Sequence, residues 1–180
     1  MNLYNLKNTE RFKMEYDVKK KQQNCKKCLV CGLKNKFGLK ASFYELENNE
    51  VVAIFKPLEE HQSYPGQLHG GIAGAILDET IGRAIMITDE NFFGVTVELN
   101  LKYKKPIPLD EELKVIARIT RNSRRIFEGS GEILLQNGDV AVTGHGKYMK
   151  ISMSKMTKFD VEKEEWKVSL LDTDPLKINI

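Results

Sequence analysis

One stretch of the chain concentrates residues able to do chemistry. It runs Gln62-Ser63-Tyr64-Pro65-Gly66-Gln67-Leu68-His69-Gly70-Gly71 and is followed by an apolar segment carrying Asp78, Glu79 and Arg83. Two glycines at the mouth of a helix let a ligand approach bare backbone. The first N–H groups of a helix have no intrahelical acceptor, so they attract negative charge or a polarised carbonyl. That pattern suits an oxyanion hole; alternatively the pair only permits a tight turn. Glu79 and Arg83, four residues apart, can neutralise each other. Asp78 has no such partner one turn away, where Gly74, Ile81 and Gly82 stand. A carboxylate in apolar surroundings is costly unless something hydrogen-bonds to it. Asp78 is therefore either a base or nucleophile with a raised pKa, or a carboxylate satisfied by a hydroxyl such as that of Thr96. At ~1.5 Å rise per residue, Asp78 lies about 12 Å along the helix from Gly70. The two can act on one carbonyl only if they come from different subunits.

The elements that must position these groups follow from periodicity. The spacing predicts a hairpin of Lys40–Glu47 and Glu50–Phe55 joined at Asn48-Asn49. It then predicts a helix over Ile72–Thr88, apolar on nearly every side and so expected to be buried. From Val95 strict alternation sets in, with Val95, Val97, Leu99, Leu101 and Tyr103 on one face and Thr96, Glu98, Asn100 and Lys102 on the other. Pro106 and Pro108 end that strand. Leu113–Ile119 alternates again, up to a basic turn at Arg121-Asn122-Ser123-Arg124-Arg125. Two more strands, Ile126–Leu135 and Val140–Ile151, flank Asn137-Gly138, a strong hairpin signal. The architecture is α+β, a long helix against an antiparallel sheet of five to six strands. One helix is too few to cover both faces of such a sheet, so a second copy of the chain is expected.

Composition bounds the alternatives. The chain has 180 residues, 28 Lys or Arg against 25 Asp or Glu, and a net charge of +3, consistent with one domain. No apolar run reaches the ~18 to 20 residues that span a bilayer, and the first 24 residues are polar, so a soluble cytoplasmic protein without membrane association is expected. Cys25, Cys28 and Cys31 are an odd, crowded set that makes no disulfide framework. A structural zinc site wants four ligands and no fourth Cys or nearby His is evident, so no metal or cofactor is expected. His61 and His145 lack metal-like spacing, and His145 between two glycines reads as close packing. Residues 1–40 carry eleven Lys or Arg against three acids. Such a head could attract a polyanion, but it lacks aromatic interleaving and the length for a helix-turn-helix, so nucleic acid is not the expected partner. Leu3, Leu6, Phe12, Met14, Tyr16 and Val18 support at most a short amphipathic helix in this arm. In the tail, Trp166, Leu170 and Leu171 are candidate anchors.

Leu68-His69-Gly70-Gly71 with Asp78 nine positions after the His, then Gly94–Tyr103 and Pro106, resembles the hotdog-fold acyl-CoA thioesterases of the PaaI-like type. Cys28-Leu29-Val30-Cys31-Gly32, Asn35 and Gly38-Leu39 are similar to a branch of that superfamily with a Cys-x-x-Cys-Gly lead-in. The resemblance implies a hotdog domain over residues 28–151, between a basic arm (1–27) and a C-terminal extension (152–180). It also implies active sites at the interface of paired protomers, as a dimer or dimer of dimers. The Gly70 amide, with that of Gly71, would polarise the thioester carbonyl, and Asp78 of the other subunit would activate water or attack directly. Thr96 would orient the water or the carboxylate. His69 would shape the loop, and Ser63, beside Gln62, occupies a position where the family often carries Asn or Gln. Arg121, Arg124 and Arg125 could reach the phosphates of coenzyme A. Two other readings compete: an enoyl-thioester hydratase on the same fold, and a non-catalytic acyl-CoA sensor.

Overall fold

A computed structural model describes residues 14–156 and 160–180. Its strands are β1 (Glu15–Lys21), β2 (Ser42–Leu46), β3 (Val51–Phe55), β4 (Phe92–Tyr103), β5 (Leu113–Asn122), β6 (Ile126–Leu134), β7 (Val140–Ser152) and β8 (Lys177–Asn179). They form one sheet in the order β4-β7-β6-β5-β3-β2-β1-β8, each pair antiparallel. Among the described residues one α-helix, α1 (Gly70–Arg83), packs on one face of the sheet and runs on into a 3-10 turn over Ala84–Ile87. The six expected strands stand near their expected places, and the turns behave as their residues require. Asn49 (φ 62°) turns the β2–β3 hairpin and Gly138 (φ 85°) the β6–β7 hairpin, both left-handed.

The sheet has eight strands rather than five or six. The first extra strand replaces the expected amphipathic helix: residues Glu15–Lys21 alternate at first, with Tyr16 and Val18 turned inward, then slip register between Val18 and Lys20 so that Lys21 is buried, and they pair with both β2 and β8. A period of two suits a strand and not a helix. Leu3, Leu6 and Phe12 lie outside the described residues. The second extra strand comes from the tail, whose anchors differ from those expected. Leu170 (78% exposed) and Leu171 (57%) face solvent, whereas Ile178 and Ile180 are buried and Trp166 is partly so. Ile178 and Ile180 join Tyr44, Leu46, Val52, Ile116 and Leu134 in a cluster on the face opposite the helix. Part of the second sheet face is therefore covered by the chain's own C-terminal segment. No helix among the described residues is long and apolar enough to cross a membrane.

The main core lies between α1 and the sheet, where Ile76, Leu77, Ile81 and Ile85 meet Phe43, Val51, Val115, Phe127 and Ile133. Burying each such side chain contributes about 1.5–3 kcal/mol. The helix is not enclosed on all sides by its own chain: Gly71 is exposed, and Ile72, Ala75, Asp78, Glu79 and Gly82 are half-buried. On the enclosed side it rests on bare backbone, because Gly129 pairs with Gly146 and Gly131 with Gly144 directly beneath it. A Cβ on Gly129 would stand 2.6 Å from Ile81 Cγ2 and 2.9 Å from the Arg118 carbonyl oxygen, and one on Gly144 would crowd Leu101 and Ile81. Gly129→Ala is expected to cost about 1–3 kcal/mol by overpacking, because the Arg118 carbonyl cannot step aside. Urea unfolding should show a lower midpoint at unchanged slope. A midpoint equal to wild type would mean that the helix does not depend on this seat.

Candidate active site

Asp78 projects from the third turn of α1 toward β4 and β7. The Thr96 hydroxyl donates to Asp78 Oδ1 (2.9 Å) and Oδ2 (3.0 Å), and the Tyr148 hydroxyl donates to Oδ1 (3.1 Å) and to the Asp78 carbonyl oxygen (3.2 Å). The carboxylate thus has hydroxyl partners, which uninterrupted alternation in β4 does not provide. The β4–β7 register slips between Thr96 and Glu98: Thr96 lies opposite buried Tyr148, and Leu99 opposite Gly146. A bulge at Val97 therefore puts Thr96 on the helix side together with Leu99 and Leu101, and puts Val95, opposite exposed Met149, on the other. The single inserted residue is what aims the Thr96 hydroxyl at Asp78. Tyr148 was not singled out from the sequence. The available signal was alternation in β7, which sets Tyr148 on the same face as Gly144 and Gly146. Burial raises the Asp78 carboxyl above its ordinary 3.8, against the downward pull of the Thr96 and Tyr148 hydrogen bonds. Burial and the neighbouring Asp78 charge likewise raise the Tyr148 hydroxyl, which stays a donor.

At the other end of α1, His69 is the N-cap, and its Nδ1 accepts from the Gly71 N–H at 2.9 Å. This removes the Gly71 amide from any oxyanion hole. It also ties down one ring nitrogen of His69, which suits loop shaping better than proton transfer. Among the described residues nothing accepts from the Gly70 N–H. The Tyr103 hydroxyl donates to the Gly70 carbonyl at 2.7 Å, fixing the peptide that follows Gly70. Gly70 lines a cavity of about 400 Å³ with Gln67, Ala73, Tyr103 and Pro106. Asp78 and Thr96 line a different one, of about 620 Å³, walled by Gly82, Met86, Phe93 and Trp166. Within one chain the candidate oxyanion donor and the candidate base open into separate spaces.

The larger cavity also reaches Cys25, Cys28, Cys31, Glu79 and Arg83. Arg83 is buried, with Nε bonding Glu79 Oε1 at 2.9 Å, Nη1 donating to the Gln23 carbonyl, and the guanidinium 4.1 Å from the Phe43 ring centroid. The i, i+4 pairing of Glu79 with Arg83 is as expected. All three cysteines carry free thiols, and the Cys25 and Cys31 sulfurs lie 3.5 Å apart. A hydrogen bond from Cys31 lowers the Cys28 thiol to about 6, and the same bond together with burial raises Cys31.

The remaining expected contacts lie outside the 620 Å³ cavity. Gln62 Oε1 is held by the Gly66 N–H at 2.7 Å, and Ser63 is exposed, its N–H donated to the Gln67 carbonyl. Arg121 sits 3.7 Å from Glu128, and Arg124 and Arg125 are exposed at the β5–β6 turn. His61 is a buried structural residue: Nδ1 accepts from the Leu58 N–H and Nε2 bonds the Phe37 carbonyl. His145 is exposed; the close packing belongs to the glycines on either side of it.

A family model for the thioesterase superfamily matches residues 65–142, which hold α1, its glycine mouth, Asp78 and Thr96. Over these residues the chain is similar to the thioesterase superfamily. It is 29% identical over 77 residues to human acyl-coenzyme A thioesterase 13, covering 43% of this chain and 55% of that one. It is 31% identical over 119 residues to acyl-coenzyme A thioesterase THEM4 of Rattus norvegicus, covering 65% of this chain and 48% of that one. The chain thus spans about half the length of these relatives. Among solved structures, a thioesterase superfamily protein superposes with a TM-score of 0.63 at 25% identity, over 68% of this chain and 59% of the other. A hypothetical thioesterase from Streptococcus pneumoniae, crystallised with coenzyme A, superposes with a TM-score of 0.53 at 21% identity, over 57% of this chain and 82% of its own. The superfamily's hotdog fold is the one seen here, a helix held against a broad antiparallel sheet.

Proposed function

We propose that the protein hydrolyses acyl-CoA thioesters to free acid and CoA, with Asp78 as general base. The observation that carries this reading is the Asp78 carboxylate itself, held by two hydroxyl donors in a cavity of about 620 Å³ and raised by burial. Of its oxygens, Oδ1 accepts from both Thr96 and Tyr148 while Oδ2 accepts from Thr96 alone, which leaves Oδ2 the capacity to bind a water. Asp78 takes a proton from that water as the oxygen adds to the thioester carbonyl carbon. The Gly70 N–H donates to the resulting oxyanion. Collapse breaks the C–S bond, and the departing CoA sulfur takes the proton from Asp78. Atoms and charge balance without a metal or cofactor.

The site is completed by a second copy of the chain. β4 is twelve residues long and stands at one end of the sheet, with Val95 and Val97 exposed. An unprotected edge of that length invites pairing. Pairing would also cover the open side of α1 and bring the Gly70 cavity of one protomer to Asp78 of the other. The basic β5–β6 turn with Arg121, Arg124 and Arg125 is the candidate phosphate contact, in a PaaI-like cytoplasmic enzyme assembled as a dimer or dimer of dimers.

The test is CoA release from short, medium, long and aromatic acyl-CoAs, with the protein's own thiols subtracted. Turnover on at least one class is expected, and tight acyl-CoA binding without turnover would replace this reading with a sensor. A single turnover with enzyme in excess in H₂¹⁸O separates base from nucleophile. Label found in the Asp78 carboxylate shows attack by Asp78, with water opening the resulting anhydride at the Asp78 carbon, whereas general-base attack labels the product acid and leaves Asp78 unlabelled.

A further inference from the structure

We propose that Cys25, Cys28 and Cys31 form a binding site for a thiophilic divalent cation of the zinc class. The three thiolates are the ligands, and the fourth position opens into the cavity that holds Asp78. The three sulfur atoms all lie within 4.8 Å of one another, with Cys25 and Cys31 at 3.5 Å. A tetrahedral zinc with ~2.3 Å bonds places its sulfurs about 3.8 Å apart, so the cluster needs only small adjustments to close on an ion. An all-sulfur donor set selects zinc-like ions over magnesium or calcium.

The loop is built to hold the sulfurs there without a metal. Backbone N–H groups point at sulfur: Cys28 N–H at Cys25 Sγ (3.3 Å), and Val30 and Cys31 N–H at Cys28 Sγ (3.2 and 3.5 Å). Such donors orient lone pairs and favour thiolate. Gly32 closes the turn by donating to the Cys28 carbonyl at 3.0 Å, and a Cβ at Gly32 would run into Cys28 backbone. Buried Asn24 clamps the loop to the sheet through the Cys31 and Ala41 carbonyls, both at 2.9 Å. Arg83 supplies counter-charge: its buried guanidinium interacts with Cys31, and Nη2 has no nitrogen or oxygen partner. A set of three converging sulfurs exceeds what one disulfide uses. The sequence pattern lacks a fourth ligand, and because all three cysteines line the cavity the fourth position would be open to it.

This inference does not rest on thioester hydrolysis, and its test reads metal. The full chain, purified under reductant, is saturated with Zn²⁺, passed through a desalting column and analysed by mass spectrometry of elements. One zinc per chain is expected, falling to background in Cys28→Ser. Co²⁺ in place of zinc should give sulfur-to-cobalt charge-transfer absorption and the strong visible bands of four-coordinate cobalt. If Cys28→Ser misfolds, wild-type protein titrated with p-hydroxymercuribenzoate in a chromophoric chelator should release its zinc as three thiols are consumed. Background zinc in the wild type, equal uptake by a folded Cys28→Ser chain, or a disulfide or iron–sulfur chromophore in its place would overturn the proposal.

Discussion

Asp78→Asn is expected to lower CoA release by about 10²–10⁴-fold, the range that general-base catalysis supplies. The loss should fall on kcat, because the amide keeps the shape of the site. Its oxygen can still accept from Thr96 and Tyr148, the donors that hold the carboxylate. Stability should not fall with activity. Burial raises the Asp78 carboxyl, so the folded chain holds that proton to higher pH than the unfolded chain does. Folding free energy therefore drops as pH rises from the ordinary carboxylate value through the raised one, and the charged group is a burden above it. Removing the charge lifts that burden, and Asp78→Asn should be at least as stable at neutral pH by urea titration. In the wild type, rate should fall as pH is lowered through the raised Asp78 value, giving an acid limb above the usual range for aspartate. A mutant that keeps near-full turnover would remove Asp78 from the chemistry.

The second large effect is expected at the opposite end of the helix. Gly70→Pro deletes one N–H and little else: Gly70 is the first helical residue, where proline is favoured. His69 already has the extended backbone (φ −63°, ψ 133°) that proline demands of its predecessor. Loss of one oxyanion donor should lower kcat by about 10²–10³-fold with KM and unfolding midpoint near wild type. A two-subunit site then makes a sharper claim. Mixing Asp78→Asn and Gly70→Pro chains, each nearly inactive, lets heterodimers form one intact site from the wild-type Gly70 of one and the wild-type Asp78 of the other. Random exchange should restore roughly a quarter of wild-type turnover. No recovery after verified exchange would place both groups in one chain's site or remove Gly70 from it.

Much of this was legible in the sequence because it is local. Period-two alternation, Asn48-Asn49, Asn137-Gly138 and the glycine mouth of α1 act through neighbours along the chain, and the hairpins and helix stand near where those residues put them. What escaped depends on pairing at a distance. Strict alternation assigned Thr96 to the outer face, and only its register against Tyr148 reveals the bulge at Val97. Residues 15–21 become a strand because Lys177–Asn179, far along the chain, pairs with them. Leu170 and Leu171 looked like anchors by hydrophobicity, but in the tail it is Ile178 and Ile180 that reach the apolar face left by β2, β3 and β5. At the site, Gly71 reads like Gly70 as a bare amide, and the His69 ring that consumes its N–H becomes visible only with the cap geometry.

The glycine pairs under α1 carry a consequence for how such a site can change. Under Ile81 and Leu77 the helix rests on the main chain at Gly129, Gly131 and Gly144, with Phe127, Ile133 and Tyr148 of the same strands packed to either side. Substitutions in the walls of the large cavity, such as Met86 or Phe93, can therefore reshape the space for an acyl group without shifting the helix that carries Asp78. Selectivity and reactivity are mechanically decoupled, so the acyl preference of this scaffold is free to drift while its reactive carboxylate stays in register.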